Sequence, residues 1–294
     1  MPDIKRKRRL GDRKEGRKLR TLNPITRAMP YIMPRRSDAL NYFTEKLDIT
    51  EAEKFCREQT KAGRTNFSLL HLFIASYLRV VSQRPAINRF VSGQTIYARN
   101  NIEVLMTIKK KMALDGEDTC IKVEFEPTDT VYDVYDKFNK AVEANKGETD
   151  GNATEDFAKL LNYIPRFLLR FVIWLIKQLD YYGILPQAIV NLSPFHGSLI
   201  VTSMGSLGIR PIYHHIYDFG NLPVFISYGA KQRGIKMNDD GEIVKYRYVE
   251  MKVVTDERIC DGFYYASAFK MMKKIFQNPH ILENPPETVI EDIE

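Results

Sequence analysis

The sequence predicts one α/β domain built around a mixed β-sheet. Runs rich in β-branched and aromatic residues alternate with segments whose apolar residues recur at helical spacing. No repeat interrupts residues 40–280, and no shift of composition divides them. At 294 residues, 44% of them apolar, the chain is long enough to bury one large core.

In chain order, residues 39–49 (ALNYFTEKLDI) have the composition of a strand. Thr50 opens a helix with Glu51 and Glu53 in its first turn, where acids meet the positive end of the helix dipole. Residues 67–81 are apolar at helical spacing and stop near Pro85. Strands follow at 94–97, 101–108 and 119–125. Residues 130–144 form an amphipathic helix, with Val131, Val134, Tyr135, Phe138 and Val142 on one face. A polar loop at 146–155 leads to a long apolar helix around 167–179. Strands at 198–203, 223–228 and 243–254 and a final helix at 263–276 complete the domain.

Charge divides the chain into three parts. Residues 1–20 hold ten Lys or Arg against three acids, a net of +7 that equals the formal charge of the whole protein. The rest of the chain is therefore balanced. This predicts a basic disordered arm over 1–20, a single domain over 21–280 and an acidic tail over 281–294, with Glu283, Glu287, Glu291, Asp292 and Glu294. The tail raises the expectation of arm-to-tail attraction between neighbouring subunits. Because the positive charge sits in an arm and not on a folded face, nucleic-acid binding is disfavoured.

Cys56, Cys120 and Cys260 lack the paired spacing of a disulfide framework or a zinc site, which points to a reducing, cytoplasmic setting without a metal. The N-terminal charge has no apolar segment after it, so it does not read as a signal peptide. The most apolar run, 164–185, is broken by Arg166, Arg170, Lys177 and Asp180, which argues against a membrane-spanning helix. A helix of this kind packs into a core or a subunit contact more often than it lies on a membrane or holds an apolar ligand.

Three segments carry a resemblance. They are RPAINRFVSGQTIYARNNIEV (84–104), LIVTSMGSLGI (199–209) followed by PVFISYGA (223–230), and DERICDGFYYA (256–266). In this order they resemble the chloramphenicol acetyltransferase superfamily, above all the catalytic domain of 2-oxo acid dehydrogenase acyltransferases. The resemblance implies a two-layer sandwich with a mixed sheet and a homotrimer with active sites in channels between subunits. It also implies acyl transfer from acyl-CoA to a thiol or hydroxyl of a small-molecule acceptor, with coenzyme A as co-substrate. No lipoyl-bearing or subunit-binding segment precedes the match, so membership of a dehydrogenase complex is not expected.

The family motif is His-x-x-x-Asp-Gly, whose histidine takes a proton from the acceptor. Here Glu257 stands at the histidine position, followed by Arg258, Asp261 and Gly262. Thr202, with Ser203 beside it, matches the hydroxyl that stabilises the tetrahedral oxyanion. The resemblance gives Asp261 an ion pair that holds the catalytic loop; an aspartate before a helix can equally serve as its N-cap. Glutamate is a weaker base than imidazole towards a thiol, although buried carboxylates do serve as general bases. The contrasting reading is a solvated or ion-paired Glu257 in a site that has lost acyl transfer. That would leave a catalytically inactive trimer acting as a ligand-binding protein or scaffold, its arm recruiting an acidic partner. His214 and His215, in PIYHHIYDFG, are the candidate substitute bases, and His196, in SPFHGS, is a further channel candidate. His71 reads as a core residue and His280 as part of the tail region. GSLG (205–208) lacks the context of a phosphate-binding loop, and no nucleophile elbow surrounds Thr202, Ser203 or Ser206.

Overall fold

The computed structural model describes residues 8–109, 118–145, 164–237 and 240–294, so the polar loop expected at 146–155 lies outside the described residues. The main sheet is built from β2 (Leu40–Asp48), β5 (Ile102–Lys109), β6 (Asp118–Phe125), β7 (Leu199–Ser203), β8 (Val224–Tyr228) and β10 (Ile243–Asp256), in the order β2-β10-β8-β7-β5-β6. An outer strand, β9 (Gln232–Met237), pairs with β10. The β5–β7 and β7–β8 pairs are parallel and the other pairs antiparallel, so the sheet is mixed as the sequence predicts.

Four helices cover one face: α2 (Thr50–Lys61), α3 (Leu69–Gln83), α4 (Val131–Asn145) and α7 (Gly262–Gln277). They trap the main core, in which Phe73 stacks on Tyr228 at 4.3 Å and packs against Phe276 at 4.8 Å. α3 begins with a capping arrangement in which the Ser68 backbone donates to His71 Nδ1 at 3.1 Å. His71 is buried, and burial holds its ring below the usual imidazole range.

The opposite face is covered only locally. Residues 204–223 cross it and seal a small cluster of Leu105, Ile216, Leu222, Phe225 and Val254. In-register neighbours project to the same face of a sheet, so the polar row Thr202, Ser227 and Lys252 lies on this side too.

A second, small sheet joins β1 (Gly16–Lys18), β4 (Thr95–Arg99) and β3 (Arg89–Ser92) in the order β1-β4-β3. The charge pattern predicts a disordered arm over residues 1–20. Residues 1–7 are outside the described set, but from Arg8 the chain is laid on the body and pairs with β4 at Arg99, Ala98 and Tyr97. The tail is held beside it within the same chain. Arg89 makes a two-pronged bond to Asp292 at 2.6 and 2.7 Å, Arg17 donates to the Asp292 and Ile293 carbonyls, and Arg9 pairs with Glu294 at 3.1 Å.

Helices α1 (Pro24–Ile32), α5 (Arg166–Tyr182) and α6 (Gln187–Leu192) stand outside the four-helix layer. α1 is capped by Asn23, which accepts from Ile25 N at 2.9 Å, with Pro24 in the first turn. Gly183 ends α5 at φ +72°, and a Cβ there would meet Arg13 Nη1 at 1.8 Å. Among the described residues no helix is long and apolar enough to cross a membrane.

Candidate functional site

The motif DERICDG begins on the last residue of β10 and turns into α7. At its base is Asp256, almost wholly buried, which accepts from Arg36 Nε at 3.3 Å and from Arg258 Nε and Nη2 at 2.8 and 2.7 Å. The Arg258 backbone N–H adds a bond at 3.1 Å. Both arginines are themselves buried and fully engaged. Arg36 also donates to the carbonyls of Tyr217 and Gly220, and Arg258 to those of Met33 and Pro34. Two guanidinium groups on one carboxylate leave a net buried positive charge, which the four carbonyls solvate in place of water. Burial pulls the Arg36 guanidinium below its ordinary range, while Asp256 acts in the opposite sense.

This cage ties the end of α1, the 3-10 turn Arg36–Ala39 and residues 217–220 to the motif turn. The Glu257 N–H donates to Ala39 O at 2.8 Å, and Tyr265 Oη donates to Asp256 O at 3.0 Å. Glu257 thus sits at the apex of a braced turn. Its side chain is half-buried and takes no hydrogen bond or ion pair from the described residues. Asp261 is exposed and caps α7, accepting from Tyr264 N at 2.8 Å. The ion pair that the resemblance gives to Asp261 is made here by Asp256. Cys260, in the same turn, is buried and its thiol is pushed up to about 12, which keeps it protonated at neutral pH.

Thr202 and Ser203 end β7, half-buried. Thr202 is in register with Ser227 on β8, and Ser227 with Lys252 on β10. Lys252 Nζ donates to Thr44 Oγ1 at 2.9 Å and lies 4.5 Å from the centre of the Tyr213 ring. Ser227 Oγ is buried and has no hydrogen-bond partner among the described residues. The row therefore sets two hydroxyls beside an ammonium that also pairs with Glu250 at 3.3 Å; the hydroxyls are the donors suited to a developing oxyanion. Ser227 and Lys252 were missed in the sequence. The available signal was a serine inside the otherwise aliphatic and aromatic, fully buried strand VFISY.

His214 lies face to face on Phe225, with ring centres 4.4 Å apart, and its Nε2 is buried without a partner. Burial and then the neighbouring His215 hold its ring below the usual imidazole range. Phe225 is two residues before Ser227 and in register with Val254, so His214 stands over the open face between the hydroxyl row and the motif turn. His215 is exposed, edge-on to Tyr217 at 4.7 Å. His196 is not at this site. It is fully buried, with Nδ1 2.8 Å from Ser193 Oγ and Nε2 3.1 Å from Asp180, and it fastens the end of α5 to the segment before β7.

One chain does not bring Thr202 and Glu257 together. Lys252, two strands away in the Thr202 row, is five residues from Glu257, which at about 3.3 Å per residue is about 16 Å along β10. His214 stands closer to the motif, over the row of Val254, about 10 Å short of Glu257.

No protein-family model matches the chain, and no curated protein matches it. Solved structures do. A probable dihydrolipoamide acetyltransferase from Listeria monocytogenes 4b F2365 superposes with a TM-score of 0.58 at 14% identity, covering 89% of this chain and 95% of that one. The dihydrolipoamide acetyltransferase of Azotobacter vinelandii gives 0.53 at 13% identity, covering 88% of each chain. In that protein a serine, a histidine and an asparagine have been investigated for their role in the catalytic mechanism. A chloramphenicol acetyltransferase gives 0.52 at 12% identity, covering 86% of this chain and 96% of that one. At these identities the likeness concerns architecture: this chain has the mixed α/β fold of chloramphenicol acetyltransferase and of the dihydrolipoamide acetyltransferases.

Proposed function

We propose that the protein is a cytoplasmic, homotrimeric acyltransferase that moves an acyl group from acyl-CoA to a thiol or hydroxyl of a small acceptor. In this reading the site forms between copies, with the Glu257 turn of one subunit facing the hydroxyl row of its neighbour. The single observation that carries it is the Arg36–Asp256–Arg258 cage, which holds the turn in place with the Glu257 carboxylate at its apex, unpartnered among the described residues. Glu257 precedes Asp261 by four residues, the same interval that separates the investigated histidine and asparagine of the Azotobacter enzyme.

The chemistry balances as follows. Glu257 takes the acceptor proton, and the acceptor sulfur or oxygen attacks the thioester carbonyl. Thr202 donates to the oxyanion, with Ser227 and Lys252 beside it, whereas Ser203, in register with Tyr228, faces the helix layer. The tetrahedral intermediate collapses, the carbon–sulfur bond to CoA breaks, and the proton held by Glu257 passes to the departing thiolate. Asp261 contributes by fixing the start of α7.

The test is calorimetric titration with CoA and acetyl-CoA, followed by an acceptor screen in which free CoA is measured by chromatography. Saturable binding and turnover are expected. Thr202→Val should lower kcat by about a hundredfold or more, the scale of losing an oxyanion donor, Glu257→Gln should abolish turnover, and Glu257→His should raise it. The inactive-scaffold reading is favoured by one observation: the imidazole of His214, over the Val254 row, stands three residues short of Glu257 along the strand direction. It predicts no binding of either CoA species and no effect of Glu257→Gln, with function lost on deletion of residues 1–7, which leaves β1 and the contacts of Arg13 and Arg17 in place.

A further inference from the structure

α5 is rich in aliphatic and aromatic residues, yet none of its residues is buried. Leu169, Val172, Ile176 and Leu179 rest half-buried against the body, and Asp180, its sole acid, is turned inward to His196 at 3.1 Å. The outward face carries Phe167, 78% exposed, with Phe171 and Trp174 each 54% exposed. Beside these rings runs a stripe of cations. Arg166, Arg170 and Lys177 fall within about 40° of one another around the helix axis, at 3.6 residues per turn, and all three are exposed.

The helix is firmly held. Arg13 donates to the Asp180 and Tyr181 carbonyls at 3.0 and 2.6 Å, and Tyr181 Oη donates to Gln94 at 2.8 Å. Arg13 is itself buried and belongs to the basic arm, where Arg8, Arg9, Arg17 and Arg20 surround a small recess together with Asp12 and Glu294.

We infer that the outward face of α5 docks, lying in the plane, on an anionic lipid bilayer. The chemistry of the face selects this partner. Aromatic rings beside cations match the boundary between acyl chains and headgroups, where tryptophan and phenylalanine enter and lysine and arginine meet phosphate. A purely apolar partner would strand three cations. A second copy would need acids to meet them, and two acids of the C-terminal tail are already engaged in their own chain, Asp292 by Arg89 and Glu294 by Arg9. This inference is independent of the acyl-transfer reading.

Trp174 is the only tryptophan of the chain and lies in the middle of the face, so it reports the contact directly. The full-length protein is mixed with vesicles of phosphatidylcholine alone or of equal parts phosphatidylcholine and phosphatidylglycerol. With the anionic vesicles, Trp174 emission shifts to the blue, is quenched by lipids brominated on the acyl chains, and returns towards its free value at high salt. The triple variant R166Q, R170Q, K177Q partitions about a hundredfold more weakly, at about fivefold per cation. Circular dichroism checks its fold, and if the fold is lost the salt and lipid dependence of the wild type decides alone. No shift with anionic vesicles, or an equal shift with neutral ones, overturns the inference. So does a Trp174 that is already shielded without lipid and becomes exposed on dilution as sedimentation shows an oligomer dissociating, which would assign the face to a second copy.

Discussion

Replacing Asp256 by Asn removes one charge from a cage that already carries a positive excess. In the native protein the carboxylate accepts bonds from Arg36 Nε and from Arg258 Nε, Nη2 and backbone N. Asparagine keeps one oxygen, but its amide nitrogen donates, so at least one guanidinium N–H is set against another donor. Two buried cations then share no anion. Removing one partner of a buried pair costs about 3 to 5 kcal/mol, and with two arginines served by one acid the upper end is expected. Arg258→Met is a different perturbation: it removes two bonds to Asp256 and two to the Met33 and Pro34 carbonyls, but the excess buried charge leaves with them and Arg36 and Asp256 remain as a neutral pair, so about 2 to 3 kcal/mol is expected. The assay is denaturant unfolding of the two variants and the wild type, comparing midpoints at unchanged slope. Asp256→Asn should shift the midpoint furthest. If Arg258→Met is the more destabilising of the two, or if Asp256→Asn stays within about 1 kcal/mol of the wild type, the charge-excess account of this cage is wrong.

Three further outcomes follow from the same contacts. Asp261→Ala removes the N-cap of α7 and should cost about 1 kcal/mol in unfolding experiments, whereas Asp261→Asn, which can still accept from Tyr264 N, should cost little. Asp292→Ala breaks the two-pronged bond to Arg89, whose side chains are 10% and 7% exposed; about 3 kcal/mol should be lost, and urea titrations at low and high salt should give nearly the same loss, because shielded pairs are weakly screened. His71 has a lowered folded-state pKa, so the unfolded chain binds its proton more readily. Stability from the neutral ring is present above about pH 6.5, the unperturbed value, and is lost as pH falls through the lower folded value. His214 shifts in the same direction, so His71→Gln should flatten the acid side of the stability profile in part, as read by unfolding at stepped pH.

Local signals carried much of the fold. The strands at 198–203 and 223–228 and the helices at 67–81 and 130–144 announce themselves because burial of one face forces a periodicity on neighbouring residues. The elements that escaped reading lack that constraint. β1 is three residues of GRK, joined to β4 through the main chain, and its charges drew attention to a disordered arm. β9, QRGIKM, is mostly exposed and polar. α1 did carry a signal, Asn23 before Pro24, which marks a helix start independently of any apolar stripe. The site shows the same division more sharply. That DERICDG ends a strand and opens a helix is legible in seven residues, but which of its two aspartates braces the turn depends on Arg36, 220 positions away in the chain. A sequence pattern cannot rank two acids that compete for a distant arginine. The outcome is set by burial: Asp256 lies inside, where an unpaired charge is costly, and Asp261 lies outside, where water and a helix N-terminus already satisfy it. Once Asp256 has taken the bracing role, the turn no longer depends on the chemistry of residue 257. Glu257→His should then leave stability within about 0.5 kcal/mol of the wild type, so that denaturant unfolding separates the fold from the proposed acyl transfer.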